Sequence, residues 1–201
     1  MPATAENYAL LHEVARISAG FPFRGAVDAL EPGSVSVIQM RNVEGDAVDW
    51  CSLTQVSLPS KRSPDLLTSG DVIFTTRGRR NFALALSEIP GPAVCSPHFF
   101  ILRSNKPELL LPEFLAWQIN QRPAQEHLQQ AATGSHILNI TKAAIGSLRI
   151  VIPAMNVQRD VVALADAAQR ELHLLNALMD NRQRLLEAAA AKILTPKRLQ
   201  A

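Results

Sequence analysis

The sequence predicts an α+β protein in which a mostly β domain with short helices precedes one long C-terminal helix. Up to residue 102, short apolar runs of β-strand character alternate with turns rich in Gly, Pro, Asn and Asp. From residue 156 no Gly or Pro interrupts the chain before Pro196, and apolar residues recur at alternating four- and three-residue spacing. These features predict a domain over residues 1–155, a coiled-coil helix over residues 156–195 and a tail over residues 196–201.

Apolar segments with alternating or β-branched character predict the strands of the first domain. They span residues 14–17, 34–40, 71–76, 82–86 and 98–102. Turn signals such as Pro32-Gly33, Ser69-Gly70 and Pro90-Gly91-Pro92 separate them. This regular spacing favours a curled, mostly β sheet over a βαβ repeat.

Beyond residue 110 the pattern predicts short helices. Pro112 stands at a helix-start position and predicts a helix to Asn120, and a second helix is expected over residues 123–132. A third short helix is expected over residues 137–145, before a last strand over residues 148–152.

The long helix carries a continuous apolar seam that predicts dimerisation. Its members are Val161, Ala165, Ala168, Leu172, Leu175, Met179, Leu186, Ala189 and Ile193. Only Arg182 interrupts this heptad pattern, and further leucines beside the seam widen the apolar face. At about 1.5 Å per residue the helix is roughly 55 Å long, too long to bury its seam against its own domain. The alternative is an ordinary C-terminal helix that lies across the domain.

Composition limits the classes of function. With 201 residues, 47% hydrophobic content and a net charge of +2, the chain can bury a core, but its overall field is weak. Cys51 and Cys95 are far apart and outside any CxxC motif, which favours reduced thiols. The sequence shows neither a secretory signal nor an apolar stretch of membrane-spanning length, so we expect a soluble cytoplasmic protein.

Catalytic and cofactor motifs are not recognised. The sequence has no GxGxxG, GxxxxGK[ST], HExxH or GxSxG pattern. Pro64-Asp65 is similar to the start of a metal-dependent nuclease motif, but no acidic-x-Lys pair follows, so Asp65 and Asp71 are expected in turns. His98 is more simply a structural or surface histidine than a general base. We therefore expect no catalytic centre, no metal and no cofactor.

Polar segments that follow predicted strands are candidates for DNA contacts. Their residues are Arg41, Asn42, Lys61, Arg62, Thr76, Arg77, Arg79, Arg80, Asn81, Ser135, His136, Asn139 and Lys142. Arg can bind guanine and Asn can bind adenine through two hydrogen bonds each, and backbone N–H groups at a helix start suit a phosphate. Each segment alone also fits a solvated loop, but together they place basic and amide side chains at the ends of successive elements.

Several motifs, in this order, resemble one half of the specificity subunit of type I restriction–modification systems. They are VARISAGFPFRG (14–25), LLTSGDVIFTTRG (66–78), LAWQIN (115–120), GS (134–135) and IVIP (150–153), followed by Gln158-Arg159. The resemblance extends over residues 11–193. The family's Pro-Pro-Leu-x-Glu-Gln helix entry is PAMNVQ (153–158) in this chain, so the acidic residue that bears on partner docking is missing.

The resemblance implies a target-recognition domain and a spacer helix that work with a DNA adenine methyltransferase subunit and a restriction or translocase subunit. Full-length members carry two recognition domains and two helices, whereas this chain has one of each. It therefore implies a half-length subunit that forms an antiparallel homodimer through residues 157–193 and recognises a bipartite double-stranded DNA site. The alternatives are a regulator or decoy that binds the methyltransferase without recognising DNA, and a nuclease with an unrecognised site.

Overall fold

The computed structural model describes residues 8–27, 30–44, 47–58, 64–78, 81–132 and 138–194, and the chain divides into two compact units between Arg159 and Asp160. The strands are β1 Tyr8–Leu10, β2 Ala15–Ala19, β3 Pro32–Ile38, β4 Val43–Glu44, β5 Ala47–Val48, β6 Thr54–Val56, β7 Val72–Thr75, β8 Arg77–Gly78, β9 Ala83–Ala85, β10 Ala93–Cys95, β11 Phe99–Ser104, β12 Leu138–Asn139 and β13 Arg149–Val151. The helices are α1 Leu11–Val14, α2 Pro112–Asn120, α3 Arg122–Ala131, α4 Lys142–Gly146 and α5 Met155–Leu194, with 3-10 turns at Met40–Asn42 and Trp50–Ser52.

Two sheets form the centre of the first unit. One has the antiparallel order β2-β11-β7-β9, and the other has the order β10-β3-β6, in which β10 runs parallel to β3. Ile38 and Cys95 of the three-stranded sheet share one buried apolar cluster with Ile73 and Ile101 of the four-stranded sheet. The predicted α+β class with a long C-terminal helix is confirmed. The parallel pair of β3 and β10 was not part of the prediction.

Strand β7 is buried along its whole length because both of its faces are covered. Ile73 belongs to the cluster between the sheets, while α2 packs against β7 and β9. The α2 side chains of Phe114, Leu115 and Ile119 are buried. A strand covered on both faces carries a continuous apolar run instead of an alternating one, as the VIF run of β7 does.

Two amide side chains connect α2 to edge strands. Asn120 Nδ2 donates to Ala83 O at 2.8 Å, and Asn120 Oδ1 accepts from Ala83 N at 2.8 Å. Gln118 Nε2 donates to Val151 O at 2.9 Å, and Gln118 Oε1 accepts from Val151 N at 2.7 Å. Each amide therefore satisfies strand backbone groups in place of a neighbouring strand. The helix predicted between Pro112 and Asn120 is confirmed.

The third short helix begins later than the sequence predicts. Residue 137 lies outside the described residues, and Leu138–Asn139 forms β12 instead of helix because its backbone pairs with β8. Helix α4 starts at Lys142, where Thr141 Oγ1 accepts from Ala144 N at 3.1 Å. This side-chain cap, together with the strand pairing before it, fixes the helix start. The predicted helix is therefore wrong for residues 138–141.

The first turn of α5 is fixed to the first unit by Gln158, which is fully buried. Its Oε1 accepts from Leu111 N at 2.9 Å, and its Nε2 donates to Leu109 O at 2.7 Å and to Pro153 O at 2.9 Å. These bonds satisfy both protons and the oxygen of the amide, so its burial leaves no polar atom unpaired.

Helix α5 has 40 residues, which correspond to about 60 Å at the usual rise, and its uninterrupted course is confirmed. The large apolar side chains of its seam are exposed: Leu172 by 52%, Leu175 by 51% and Met179 by 66%. No helix in the described part of the chain has the length and apolar character to cross a membrane.

Two arginines and two aspartates form a network at the start of β7. Asp71 is fully buried, and its carboxylate accepts from Arg103 Nε and Nη2 at 2.6 Å each. Asp65 accepts from Arg103 Nη1 at 3.2 Å and from Arg16 Nη2 at 3.0 Å. Burial raises the pKa of Asp65, but the hydrogen bond from Ser18 and the two arginines outweigh it and hold that pKa below its ordinary value. Both carboxylates therefore stabilise the turns before β7.

We expect the replacement Arg103→Ala to lower the free energy of unfolding by about 3 kcal/mol, because it leaves the buried Asp71 carboxylate without its cation. Arg16→Ala removes a more exposed partner of Asp65 and should lower it by less than about 1 kcal/mol. Urea denaturation of both variants measures the difference. Equal losses in the two variants would contradict the assigned role of Asp71.

Candidate nucleic-acid interface

The ends of several strands meet at one edge of the first unit. Strands β2 and β7 end where β11 begins, because β11 is antiparallel to both, with Phe100 between Ala19 and Phe74. Strands β3 and β10 are parallel and therefore end together. Residues 96–98 connect the end of β10 to the start of β11 and join the two groups. We name this region the strand-end edge; it comprises residues 20–27, 39–42, 76–78 and 96–98.

A short ladder joins two of the candidate DNA-binding segments at this edge. Strands β8 and β12 are antiparallel, with Arg77 opposite Asn139. The ladder continues in a hydrogen bond from Ile140 N to Thr76 O at 3.0 Å. Arg77, Asn139 and Lys142 are exposed. The fold thus brings together two polar segments that are far apart in sequence, and it leaves a cationic side chain on each of them at the surface.

Three of the predicted DNA contacts, Asn42, Thr76 and Asn81, are instead at most 6% exposed. Asn42 Nδ2 donates to Ser52 O at 3.2 Å and to Ser52 Oγ at 3.1 Å. Thr76 Oγ1 donates to His98 O at 3.1 Å, and Asn81 Nδ2 donates to Thr75 O at 2.7 Å. These three side chains therefore stabilise the loops through hydrogen bonds to backbone and side-chain groups, and they do not face the solvent.

Of the seven remaining predicted contacts, one, Arg41, lies within the described residues. Arg41 is exposed at the strand-end edge, and its Nη2 donates to Thr54 Oγ1 at 3.3 Å. The others, Lys61, Arg62, Arg79, Arg80, Ser135 and His136, lie outside the described residues.

Arg41 also lines a pocket of about 370 Å³ at the strand-end edge, together with Phe23, Gln39, Ser96 and His98. Sequence patterns do not predict this pocket, because its walls come from separate segments that only the sheet pairing brings together. Of its lining residues, Phe23 and Gly25 belong to the VARISAGFPFRG motif (14–25) that carries the family resemblance.

Gly20 allows a close approach to the backbone of Ser96, which lines this pocket. Its N–H donates to Phe99 O at 2.9 Å, and the next residue, Phe21, donates to Cys95 O at 2.7 Å. A Cβ atom at position 20 would lie 2.0 Å from Ser96 O, a distance that no side chain permits. Glycine is therefore required by contact with the neighbouring backbone.

Comparison with known proteins identifies the fold through solved structures. No family model matches the chain, and no curated protein does. The S subunit of a type I restriction–modification system from M. genitalium superposes with a TM-score of 0.58 at 14% identity, over 97% of this chain and 48% of that one. The HsdS subunit from Thermoanaerobacter tengcongensis gives a TM-score of 0.61 at 20% identity, over 99% of this chain and 52% of that one.

A third structure, described as showing complex assembly and conformational transition of the type I R-M system, gives a TM-score of 0.73 at 19% identity. It is matched over 100% of this chain and 52% of that one. The resemblance found in the sequence motifs is thus confirmed at the level of the fold. The chain spans about half the length of these structures.

We expect Asn81→Ala to lower the free energy of unfolding by about 1–3 kcal/mol, because the buried Thr75 carbonyl loses its donor. Arg77→Ala, only a few residues away and exposed, should change it by less than about 0.5 kcal/mol. Thermal and urea denaturation of the two variants test the assignment of Asn81 to the loop and of Arg77 to the surface. A loss for Arg77→Ala as large as that for Asn81→Ala would show that Arg77 has a structural role.

Proposed function

We propose that this chain, which has the fold of the specificity subunits of type I restriction–modification systems, recognises one half-site of double-stranded DNA through its strand-end edge. The observation that carries the proposal is the β8–β12 ladder, which joins two polar segments. It leaves Arg77 exposed on β8 and Lys142 exposed at the start of α4, three residues after Asn139 of β12. In this proposal the chain has no catalytic centre, and a DNA adenine methyltransferase subunit and a restriction or translocase subunit act on the bound DNA.

The two exposed cations would contribute in different ways. The guanidinium of Arg77 can form two hydrogen bonds with the major-groove edge of guanine and so discriminate between bases. The ammonium of Lys142 is a compact charge suited to a phosphate, which positions the protein on DNA without specifying sequence. Because the net charge of the chain is only +2, such local contacts must supply the electrostatic part of the affinity.

One observation favours a second candidate function. Asn42, Thr76 and Asn81 are engaged inside the protein, which reduces the number of amide and hydroxyl groups that can face base edges. A regulator that keeps the fold and binds the methyltransferase without recognising DNA needs no such groups. This candidate predicts no DNA affinity above the non-specific range.

Selection of duplexes from a randomised library, followed by affinity measurements at several salt concentrations, tests DNA recognition. Lys142→Ala should weaken binding to all sequences and reduce the salt slope by about 1. Arg77→Ala should relax the preference at one base pair by about 1–3 kcal/mol. Lys106→Ala, beyond the opposite end of β11, is the matched control and should change neither. Failure to enrich any duplex favours the regulator.

We further propose that α5 pairs with the α5 of a second copy. The exposed seam supports this, since its leucines and Met179 contact water in the isolated chain. Small residues at Ala165, Ala168 and Ala189 permit close approach of two helices. Such pairing would place two identical recognition domains on one DNA molecule, which fits a symmetric, bipartite site.

The one charge in the seam supports an antiparallel arrangement. In a parallel, in-register pair, Arg182 would face Arg182 of the second copy within the apolar seam, where like charges repel. In an antiparallel pair that aligns Val161 with Ile193, Arg182 instead faces Leu172 and lies beside Glu171 of the second copy. The opposite charges of Arg182 and Glu171 are therefore complementary only in the antiparallel pair.

Light scattering on the purified chain tests the pairing. Replacing Leu172, Leu175 and Met179 by Glu should convert a dimer into a monomer, because it places six charges in the paired seam. Arg182→Glu should weaken the dimer, and adding Glu171→Arg should restore it if the helices are antiparallel. Arg184→Glu, on the outer face, is the control for the same change of charge. A wild-type monomer at high concentration would contradict homodimerisation.

A further inference from the structure

The pocket at the strand-end edge has the size and lining of a small-ligand site. Its volume of about 370 Å³ lies within the range of about 300–1,000 Å³ that is typical of such sites. Phe23 and Val27 supply apolar surface, and the Phe23 ring is held by Phe21 at a centroid distance of 5.0 Å and an interplanar angle of 58°. An aromatic ring held in this way is a fixed surface on which a planar ligand can stack.

Two polar groups in the pocket wall lack partners. Within the described part of the chain, neither Gln39 Nε2 nor Ser96 Oγ has a hydrogen-bond partner, although both atoms are buried. Ser96 as a whole is only 4% exposed. Buried polar groups in native structures are paired with few exceptions, and an unpaired group in a pocket wall indicates a missing partner. Both residues line the same pocket, so one occupant can satisfy both atoms once the two side chains rotate toward it.

We infer that this pocket binds a single nucleobase, taken from the DNA strand that the strand-end edge recognises. The inference rests on the proposed function. A base rotated out of the duplex is held by stacking on aromatic or apolar side chains and by hydrogen bonds to its edge. Phe23 supplies the stacking surface, the amide of Gln39 donates to a ring nitrogen or carbonyl oxygen, and the hydroxyl of Ser96 bonds to the neighbouring edge atom.

The charge of the wall favours a base over an anion. The two unpaired groups, on Gln39 and Ser96, are neutral, whereas a buried anion requires a cation or several donors. A neutral, planar ligand with donors and acceptors on its edge matches both the shape and the chemistry of the pocket.

The position of the pocket matches the proposed DNA contacts. His98 lines the pocket, and its carbonyl oxygen accepts from Thr76 N at 2.8 Å and from Thr76 Oγ1 at 3.1 Å. Thr76 leads directly into Arg77 of the β8–β12 ladder. A DNA strand bound by Arg77 therefore passes close to the pocket, so a nucleotide of the same strand can enter it.

The first experiment titrates the ¹⁵N-labelled full chain with each of the four deoxynucleoside 5′-monophosphates and follows the amide resonances. At least one monophosphate should cause saturable shifts at residues 23, 39, 96 and 98. Gln39→Leu should weaken that binding by about tenfold, the effect expected for one lost hydrogen bond. Gln129→Leu, an exposed glutamine of α3, is the matched control and should bind as the wild type does. Absence of saturable shifts with all four monophosphates would overturn the inference.

Thermal denaturation separates a ligand-binding role of Gln39 from a structural one. Gln39→Leu removes a buried donor that has no partner, so its melting temperature should equal or exceed that of the wild type. Ser96→Val should behave in the same way and should also reduce monophosphate binding. A marked loss of stability in Gln39→Leu, without a change in monophosphate binding, would assign the residue to the fold and overturn the inference.

The second experiment distinguishes a base in DNA from a free nucleotide. Selected duplexes carrying 2-aminopurine at successive positions should show increased fluorescence at one position on binding, and Gln39→Leu should abolish the increase. Monophosphate binding without duplex binding would retain the nucleobase pocket and reject DNA recognition. Specific duplex binding that Gln39→Leu leaves unchanged, with no monophosphate shifts, would reject the pocket and leave DNA recognition intact.

Discussion

The antiparallel pairing of β11 with β2 on one side and β7 on the other organises the first unit. It brings the ends of β2 and β7 to the start of β11. The short connection from β10 then places the end of the three-stranded sheet at the same edge. Among the described residues, Arg41, Arg77 and the pocket lie at this edge because loops extend from the strand ends that the sheets define, and the β8–β12 ladder adds Asn139 and Lys142.

Polar and charged side chains have different roles at the start of β7 and at the strand-end edge. At the start of β7 the buried Asp71 forms an ion pair with Arg103, and Asp65 also accepts a hydrogen bond from Arg103. The charged groups there therefore stabilise the fold. At the strand-end edge Arg77 is exposed, and the Nε2 of Gln39 has no partner within the described residues. Buried groups whose hydrogen bonds are complete stabilise structure, whereas exposed or unpaired groups remain able to bind a ligand.

Neutral amides join the helices to the backbone of neighbouring strands and loops. Gln118 and Asn120 on α2 bond to strand backbones, and Gln158 fixes the start of α5. An amide both donates and accepts, so it can satisfy a backbone N–H and a C=O without burying a charge. Asn120 and Gln158 also belong to the motifs that carry the family resemblance.

Helix periodicity and a buried apolar run are local properties, so the sequence is enough to predict α2, the uninterrupted course of α5, its apolar seam and the strand β7. The parallel pair of β3 and β10, the β8–β12 ladder and the pocket each join segments that are distant in the chain, so they follow from the folded structure and not from local sequence patterns. The same reason explains Asn42 and Asn81: whether a polar side chain faces solvent or a carbonyl group depends on which backbone the fold places beside it.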